Sequence, residues 1–238
     1  FGPGRQVQVY SAPGRAELGG NHTDHQGGYG LAAAVTLDLV AVAARNTDGY
    51  VRVKSRGFNK LDVIDLATAE PQAGESTHSA SLIRGIAEGF RAVGKQIGGF
   101  DAYTTSNVLR GSGLSSSAAF EVCIGAILRG EYNNNDMEKF NQVKIAQIGQ
   151  FAENVFFGKP CGLMDQAAVC LGGLAYMDFE DQAQPKTQKL ELNFEDHGYA
   201  LVLVKVGADH VAATDDYAAV PREMQDVAAE FGKARLCE

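Results

Sequence analysis

Short apolar stretches of two kinds recur along the chain and predict β-strands. Residues Gln6 to Tyr10 alternate between polar and apolar side chains, as a half-buried strand does. The run from Leu31 to Ala44 is apolar and becomes β-branched in its second half, which indicates a strand inside a buried sheet. Further strands are predicted at residues 50–54, 61–66, 100–108, 190–192 and 199–206.

Apolar positions at helical spacing separate these strands. They predict helices over residues 79–93, from Ser117 to Leu128, over residues 136–156, in a shorter run that begins at Asp165, and over residues 221–234. A polar, glycine-rich loop is predicted from Pro13 to Gly30. Because strands and helices mix without a strict β–α–β alternation, the pattern favours the α+β class, with a mixed sheet packed against helices.

Composition narrows the classes of function. The 238 residues carry 21 Lys and Arg against 29 Asp and Glu, a formal charge of −8, which argues against a nucleic-acid partner. No run of about 18 consecutive apolar residues occurs, so no membrane-spanning helix is predicted. The four cysteines (Cys123, Cys161, Cys170 and Cys237) form no CxxC pair and are typical of reduced thiols in a cytoplasmic protein.

A serine run preceded by glycines is the first candidate site. Gly111 and Gly113 allow the backbone to approach an anion closely, and Ser115–Ser117 lie where a helix is predicted to begin. The free amides and the dipole of a helix N-terminus suit a phosphate. A serine-capped helix after a flexible loop is an equally good interpretation of this segment alone.

A dense polar loop between residues 14 and 28 is the second candidate site. Asp24 offers a carboxylate to two neighbouring sugar hydroxyls, and Asn21 and His22 add directional hydrogen bonds. The alternative is a solvated, turn-rich loop. The cluster of one Arg, one Asp and two His makes that alternative the weaker one.

A third segment, CGLMDQ at residues 161–166, places Asp165 at a helix start. Taken alone, such an Asp is usually only a helix cap. Glu153, earlier in the same region, is equally undistinguished by itself.

Together the three segments resemble the galactokinase branch of the GHMP kinase superfamily. The stretch SAPGRAELGGNHTDHQGGYG (residues 11–30) is similar to the galactokinase signature, and GSGLSSSAA (111–119) resembles the superfamily phosphate loop. The stretch AENVFFGKPCGLMDQ (152–166) resembles the segment that carries the acidic catalytic residues. The order of the three segments makes the resemblance specific.

The resemblance implies ATP-dependent phosphorylation of galactose to galactose 1-phosphate. Asp165 matches the catalytic aspartate, with Arg15 beside it, and Ser117 and Glu153 match the pair that ligates Mg²⁺. The sugar-contacting positions are Asn21, His22, Asp24, Asp165 and Tyr217. The ATP-binding positions are Gly111, Ser112, Gly113, Leu114, Ser115, Ser116 and Ser117.

The resemblance also implies a domain arrangement. Residues 1–198 correspond to the GHMP kinase N-terminal domain, and residues 199–238 to the beginning of a second α+β domain that is cut short. We therefore expect a fragment that is inactive alone. Its expected partners are a small sugar and ATP, with no nucleic acid, no membrane and no obligate protein partner.

Departures from the family pattern leave two alternatives open. Asn21 stands where the family usually has Glu, so a kinase for a related sugar is the first alternative. The second is a sugar- and ATP-binding sensor without catalysis, although the presence of both Asp165 and Arg15 favours an enzyme. The chain has no Trp, so its adenine pocket must differ from the family's usual one.

Overall fold

One long strand organises the sheet of this protein. The computed structural model describes Gly2 and residues 4–136, 140–204 and 214–238, with residues 214–218 described by their backbone alone. Within these residues, seven strands form a single sheet around β2 (Tyr29–Arg45). β1 (Gln8–Gly19) pairs antiparallel along one edge of β2.

The opposite edge of β2 is shared by two strands. β5 (Phe100–Ser106) pairs with its second half and β6 (Leu174–Asp178) with its first half, both antiparallel. The outer strands are β3 (Tyr50–Ser55) beside β5, β4 (Leu61–Asp65) beside β3, and β7 (Lys186–Leu190) beside β6. Only the β3–β5 pair is parallel within the described residues, so the sheet is mixed, as predicted.

Helices cover the sheet and bury its apolar side chains. They are α1 (Ser79–Ala92), α2 (Ser116–Tyr132), α3 (Gln142–Phe151), α4 (Met164–Leu171) and α5 (Thr214–Glu230). α2 packs against β1 and β2, and Ala118 and Ala119 in its first turn are fully buried. The α+β class predicted from the sequence is confirmed. No helix in the described part of the chain is long and apolar enough to cross a membrane.

The structure corrects several predicted boundaries. The loop expected from Pro13 to Gly30 is strand as far as Gly19, because β2 provides a hydrogen-bonding edge along the whole segment. The helix expected over residues 136–156 begins at Gln142, continues from Ala152 to Phe157 as a wider π-helical turn, and is preceded by residues 137–139, which lie outside the description. The last helix begins at Thr214 rather than at Pro221 and ends at Glu230.

Two predicted strands near the end of the sheet are wrong, and a third strand, β6, has no counterpart in the prediction. The strand expected at residues 190–192 lies instead at Lys186–Leu190, where it pairs with β6. The strand expected at residues 199–206 is not formed over residues 199–204, and residues 205 and 206 lie outside the described part. Both errors concern segments whose structure depends on a strand partner rather than on local pattern.

The loop after β1 is fastened to the start of α4 by one carboxylate. Asp24 is only 6% exposed, and its Oδ2 accepts a hydrogen bond of 3.0 Å from the amide of Met164, the first residue of α4. Its Oδ1 accepts from the amide of His25 at 3.0 Å. Asp24 therefore caps α4 from a distant part of the chain, where the helix dipole favours a negative charge.

Gly162 makes this contact possible. A Cβ at position 162 would lie 1.8 Å from Oδ2 of Asp24, far inside any allowed separation. A side chain there would push the carboxylate away from the helix start. The loop and α4 therefore depend on a glycine that sequence patterns alone did not single out.

We predict that Gly162→Ala lowers the free energy of unfolding by about 1–3 kcal/mol, because the added methyl overpacks a site filled by Asp24. Gly74→Ala is the control, since a Cβ at Gly74 has no atom within 4 Å; it should change the free energy by less than about 0.5 kcal/mol. Urea denaturation of the two variants provides the measurement. Equal stability of Gly162→Ala and wild type would show that Asp24 is not held against α4.

Candidate active site

Arg15 and Asp165 form an ion pair that joins β1 to α4. Nε and Nη2 of Arg15 lie 2.9 and 2.6 Å from Oδ1 of Asp165. Nη1 of Arg15 donates to the carbonyl of Gly113 at 2.7 Å. One guanidinium therefore binds both the acidic residue of the third segment and the backbone of the first.

β1 holds Arg15 in place because this strand packs directly against the loop that precedes α2. The amide of Arg15 donates to the carbonyl of Leu114 at 3.1 Å. A Cβ at the preceding residue, Gly14, would lie 3.0 Å from that carbonyl oxygen and 3.1 Å from Cγ1 of Val108. Glycine at position 14 therefore allows strand and loop to touch through their backbones.

Ser115 holds the second oxygen of Asp165. Its hydroxyl donates to Oδ2 of Asp165 in a short hydrogen bond. Ser115 occupies the N-cap position of α2 in a left-handed conformation (φ 56°), and its side chain makes no capping bond. A non-glycine residue with positive φ costs energy and is concentrated at functional sites. The hydroxyl is thus directed at the acid rather than at the helix.

These contacts keep Asp165 ionised. Burial raises the pKa of its carboxyl, but the charge of Arg15 and the hydrogen bonds from Ser115 and Arg15 outweigh that effect and hold the pKa below its ordinary value. The side chain still keeps 36% of its surface exposed. Asp165 is therefore a charged and accessible carboxylate, not the helix cap that its position alone suggested.

The start of α2 has free backbone donors. The first intrahelical bond runs from the amide of Ala119 to the carbonyl of Ser115, so the amides of Ser116, Ser117 and Ala118 precede the helical ladder. Both serines are half-buried. Gly111 and Gly113 adopt positive φ values of 67° and 74°, a backbone conformation that favours glycine. This is the geometry of an anion site at a helix N-terminus.

Behind Asp165, two glutamates share one amide. Nε2 of Gln166 lies 3.0 Å from Oε2 of Glu121 and 3.0 Å from Oε2 of Glu153. Burial and the charge of Glu153 raise the pKa of Glu121 well above its ordinary value. Lys159 approaches the other oxygen of Glu153 at 3.4 Å and gives that carboxylate a positive neighbour. We call Glu121, Glu153 and Gln166 the acid–amide cluster.

The acid–amide cluster matters for metal binding because it contains Glu153, one of the two predicted metal ligands. Ser117 lies one helical turn before Glu121 on α2, so their side chains share a face of the helix. Glu121 shares the amide of Gln166 with Glu153. A carboxylate and a hydroxyl are hard oxygen ligands that suit Mg²⁺ together with phosphate oxygens. The described residues contain no group of three or more His, Cys, Asp or Glu able to hold a metal alone.

The predicted sugar-contacting residues differ in their surroundings. Asp24 is buried, whereas Asn21 is exposed. His22 adopts a left-handed conformation (φ 59°), and its ring stacks on His25 at a centroid distance of 5.8 Å. Burial lowers the pKa of His25. The side chain of Tyr217, predicted as a further sugar contact, lies outside the described part of the structure.

Sequence reasoning missed two polar groups of this site. Glu17 follows Arg15 by two positions on β1 and so lies on the same side of the strand. Burial raises its pKa, the charge of Arg15 opposes this, and Asp165 raises it further. The strand period could have revealed Glu17. Nothing local in the sequence indicates that Gln166 is the shared donor of two glutamates.

Two family models match the chain. The model for the GHMP kinases N terminal domain matches residues 81–173. The model for the galactokinase galactose-binding signature matches residues 1–45. The first match contains the loop before α2 together with Asp165, and the second contains Arg15 and the loop of Asp24.

Curated relatives are galactokinases that are longer than this chain. The galactokinase of Bacillus subtilis is 30% identical over 234 residues, which are 98% of this chain and 58% of the relative. That of Clostridium acetobutylicum is 35% identical over 165 residues, or 69% of this chain and 41% of the relative. The chain thus spans about half the length of the curated relatives it matches.

A galactokinase is also found among the solved structures that resemble this chain. The Lactococcus lactis galactokinase complexed with galactose aligns with a TM-score of 0.69 at 29% identity, over 82% of this chain and 50% of that one. A D-glycero-D-manno-heptose 1-phosphate kinase, at 22% identity and a TM-score of 0.61 over 79% of this chain and 61% of that one, shares the fold. With both family models and these relatives in agreement, the chain belongs to the galactokinase family of GHMP kinases.

Proposed function

We propose that the whole protein is a galactokinase, which transfers the γ-phosphoryl group of ATP to the anomeric hydroxyl of galactose. The observation that carries the proposal is the contact of Arg15 and Ser115 with the two oxygens of Asp165, beside the start of α2. A charged acid, a fixed cation and a helix N-terminus stand together there. Phosphoryl transfer needs these groups for positioning and for stabilising charge.

In the proposed reaction, Asp165 receives the proton that leaves the attacking sugar hydroxyl. The oxygen of that hydroxyl forms the new bond to the γ-phosphorus while the bond from the γ-phosphorus to the β,γ-bridging oxygen breaks, and ADP leaves. The depressed pKa of Asp165 makes it a weak base. A weak base suits a loose transition state, in which the hydroxyl keeps its proton until late. Arg15 offsets negative charge near the transferred group.

The backbone around α2 is proposed to hold the phosphates of ATP. The free amides of Ser116 and Ser117 and the positive-φ glycines before them support this phosphate site. We assign residues 111–117 to this role. Mg²⁺, when bound, would neutralise phosphate charge. Ser117 and Glu153 are the residues proposed to hold it, and their hard oxygen atoms fit that ion.

The loop after β1 is proposed to bind the sugar. His22, Asp24 and Asn21 belong to the segment matched by the galactose-binding signature, and Tyr217 is proposed as a further contact. Asp24 also holds the start of α4, so sugar binding and the placement of Asp165 share one anchor. We further propose a domain boundary near residue 199 and a cytoplasmic location, the latter because all four cysteines are free thiols.

For catalysis we predict that Asp165→Asn in the intact protein lowers turnover by at least about two orders of magnitude, because the amide keeps the shape but not the basicity or charge. Galactose should still bind, measured by calorimetry. Asp196→Asn, in an exposed turn, is the matched control and should keep wild-type turnover. Turnover of Asp165→Asn within threefold of wild type would remove Asp165 from the mechanism.

For substrate choice we predict that galactose is preferred and that at least one close relative is also phosphorylated. Asn21 offers a neutral amide where a carboxylate would form a stronger bond. Asn21→Glu should narrow the range several-fold, about 1 kcal/mol in relative efficiency. The panel is galactose, 6-deoxygalactose, N-acetylgalactosamine and glucose, with exposed Asn59→Glu as control. Identical ranges for wild type and Asn21→Glu would mean that Asn21 does not touch the sugar. Activity on none of the four would favour a sensor or another substrate.

A further inference from the structure

We infer that Gln166 is a positioning residue, which sets the orientation of the Glu153 carboxylate by donating one amide hydrogen to Glu153 and the other to Glu121. This inference rests on the proposed function, because the orientation of Glu153 matters only if that residue holds a metal. Gln166 itself touches no substrate in this account. Its effect passes through Glu153.

The geometry of the acid–amide cluster supports this role. The three side chains come from α2, the π-helical turn and α4, and they meet in the interior. Glu121 and Gln166 are fully buried, and Glu153 is 3% exposed. Oε2 of each glutamate lies 3.0 Å from the same nitrogen, so each of its two hydrogens has a carboxylate acceptor, and Sγ of Cys161 lies farther away at 3.7 Å. Side chains so enclosed have few alternative rotamers.

The two acceptors also fix which way the amide faces. Turning the amide of Gln166 by half a turn would place its oxygen, which carries no hydrogen, 3.0 Å from Oε2 of Glu153 and would remove the donor of that carboxylate. The observed orientation is therefore the one that makes two bonds. One amide hydrogen of Gln166 binds Glu121. The other hydrogen therefore has a fixed position, and it sets the position of Oε2 of Glu153.

The cluster is not arranged for stability alone. Within the described residues, Oε1 of Glu121 and Oε1 of Gln166 are buried and have no hydrogen-bond partner. Buried polar atoms without partners destabilise a fold, and they require an explanation when they occur in a native site. An apolar side chain at position 166 would remove the unpartnered oxygen of Gln166, but it would leave Glu121 and Glu153 without their shared donor. A demand on the direction of Glu153 explains why an amide stands there.

The position of Gln166 in the chain links the cluster to the reacting acid. Gln166 is the next residue after Asp165 in the first turn of α4. One side chain bonds Arg15 and Ser115, and the neighbouring one bonds the two glutamates. A single short helix therefore sets both the acid and the proposed metal ligand, with Asp24 holding that helix at its first amide.

The test measures metal affinity directly rather than activity. Mn²⁺ replaces Mg²⁺ as the paramagnetic probe, and its binding to the intact protein is titrated in the presence of a non-hydrolysable ATP analogue. We expect Gln166→Leu to weaken Mn²⁺ binding by about 10–100-fold, the usual effect of removing a partner of a metal ligand. Galactose affinity, measured separately, should stay at the wild-type value.

Two further variants sharpen the comparison. Glu121→Gln keeps an acceptor oxygen for the amide of Gln166 and should bind Mn²⁺ much more tightly than Gln166→Leu does. Gln147→Leu is the matched control. Gln147 also donates two hydrogen bonds from Nε2, to the carbonyls of Gln182 and Ala183, but it does so at the surface. This variant should bind Mn²⁺ as the wild type does.

The outcomes separate the inference from the proposed function. A folded Gln166→Leu variant with wild-type Mn²⁺ affinity overturns the positioning role while leaving the proposed function standing. Should that variant fail to fold, Gln166→Asn decides: its amide is one methylene shorter, and unchanged Mn²⁺ affinity overturns the role. A wild-type protein that binds no Mn²⁺ with the nucleotide analogue overturns both the inference and the metal assignment.

Discussion

The ion pair between Arg15 and Asp165 is the contact on which the rest of the site depends. Its two residues are 150 positions apart, and the guanidinium also binds the carbonyl of Gly113. The pair therefore holds β1, the loop before α2, and α4 together. A carboxylate in these surroundings would otherwise take up a proton, because burial alone raises its pKa. The carboxylate keeps its charge through two partners, Arg15 from β1 and Ser115 from the start of α2.

Around that pair, short elements position most of the functional side chains. α4 has only eight residues, yet its first turn carries Asp165 and Gln166, and its first amide is capped by Asp24. α2 begins at Ser116. The hydroxyl of the preceding residue, Ser115, donates to Asp165 and does not cap the helix. The unpartnered oxygens in the acid–amide cluster and the positive φ of Ser115 each destabilise the fold locally. The well-packed sheet and helices offset them, as is usual at functional sites.

The sequence predicted the elements with strong local pattern and the site segments that resemble a known family. β2, β3, β4, α1 and the start of α2 were found because their periodicity is local. β6, the continuation of β1 through its glycines, and the role of Gly162 depend on partners far along the chain. The same holds for the hydroxyl of Ser115, whose acceptor Asp165 lies 50 residues away, and for the bond from Gln166 to Glu121, which lies 45 residues away. No window of sequence contains both ends of such a contact.

Arg15 keeps Asp165 ionised against the effect of burial. Carboxyl ¹³C NMR of the intact protein, labelled at aspartate, measures this pKa directly. We predict a pKa below the ordinary value in the wild type, and a pKa about 1–3 units higher in Arg15→Met, since burial then acts with less opposition. Arg110→Met, at an exposed arginine of the loop before α2, should leave the pKa unchanged. An Asp165 pKa that is the same in Arg15→Met and wild type would contradict the account.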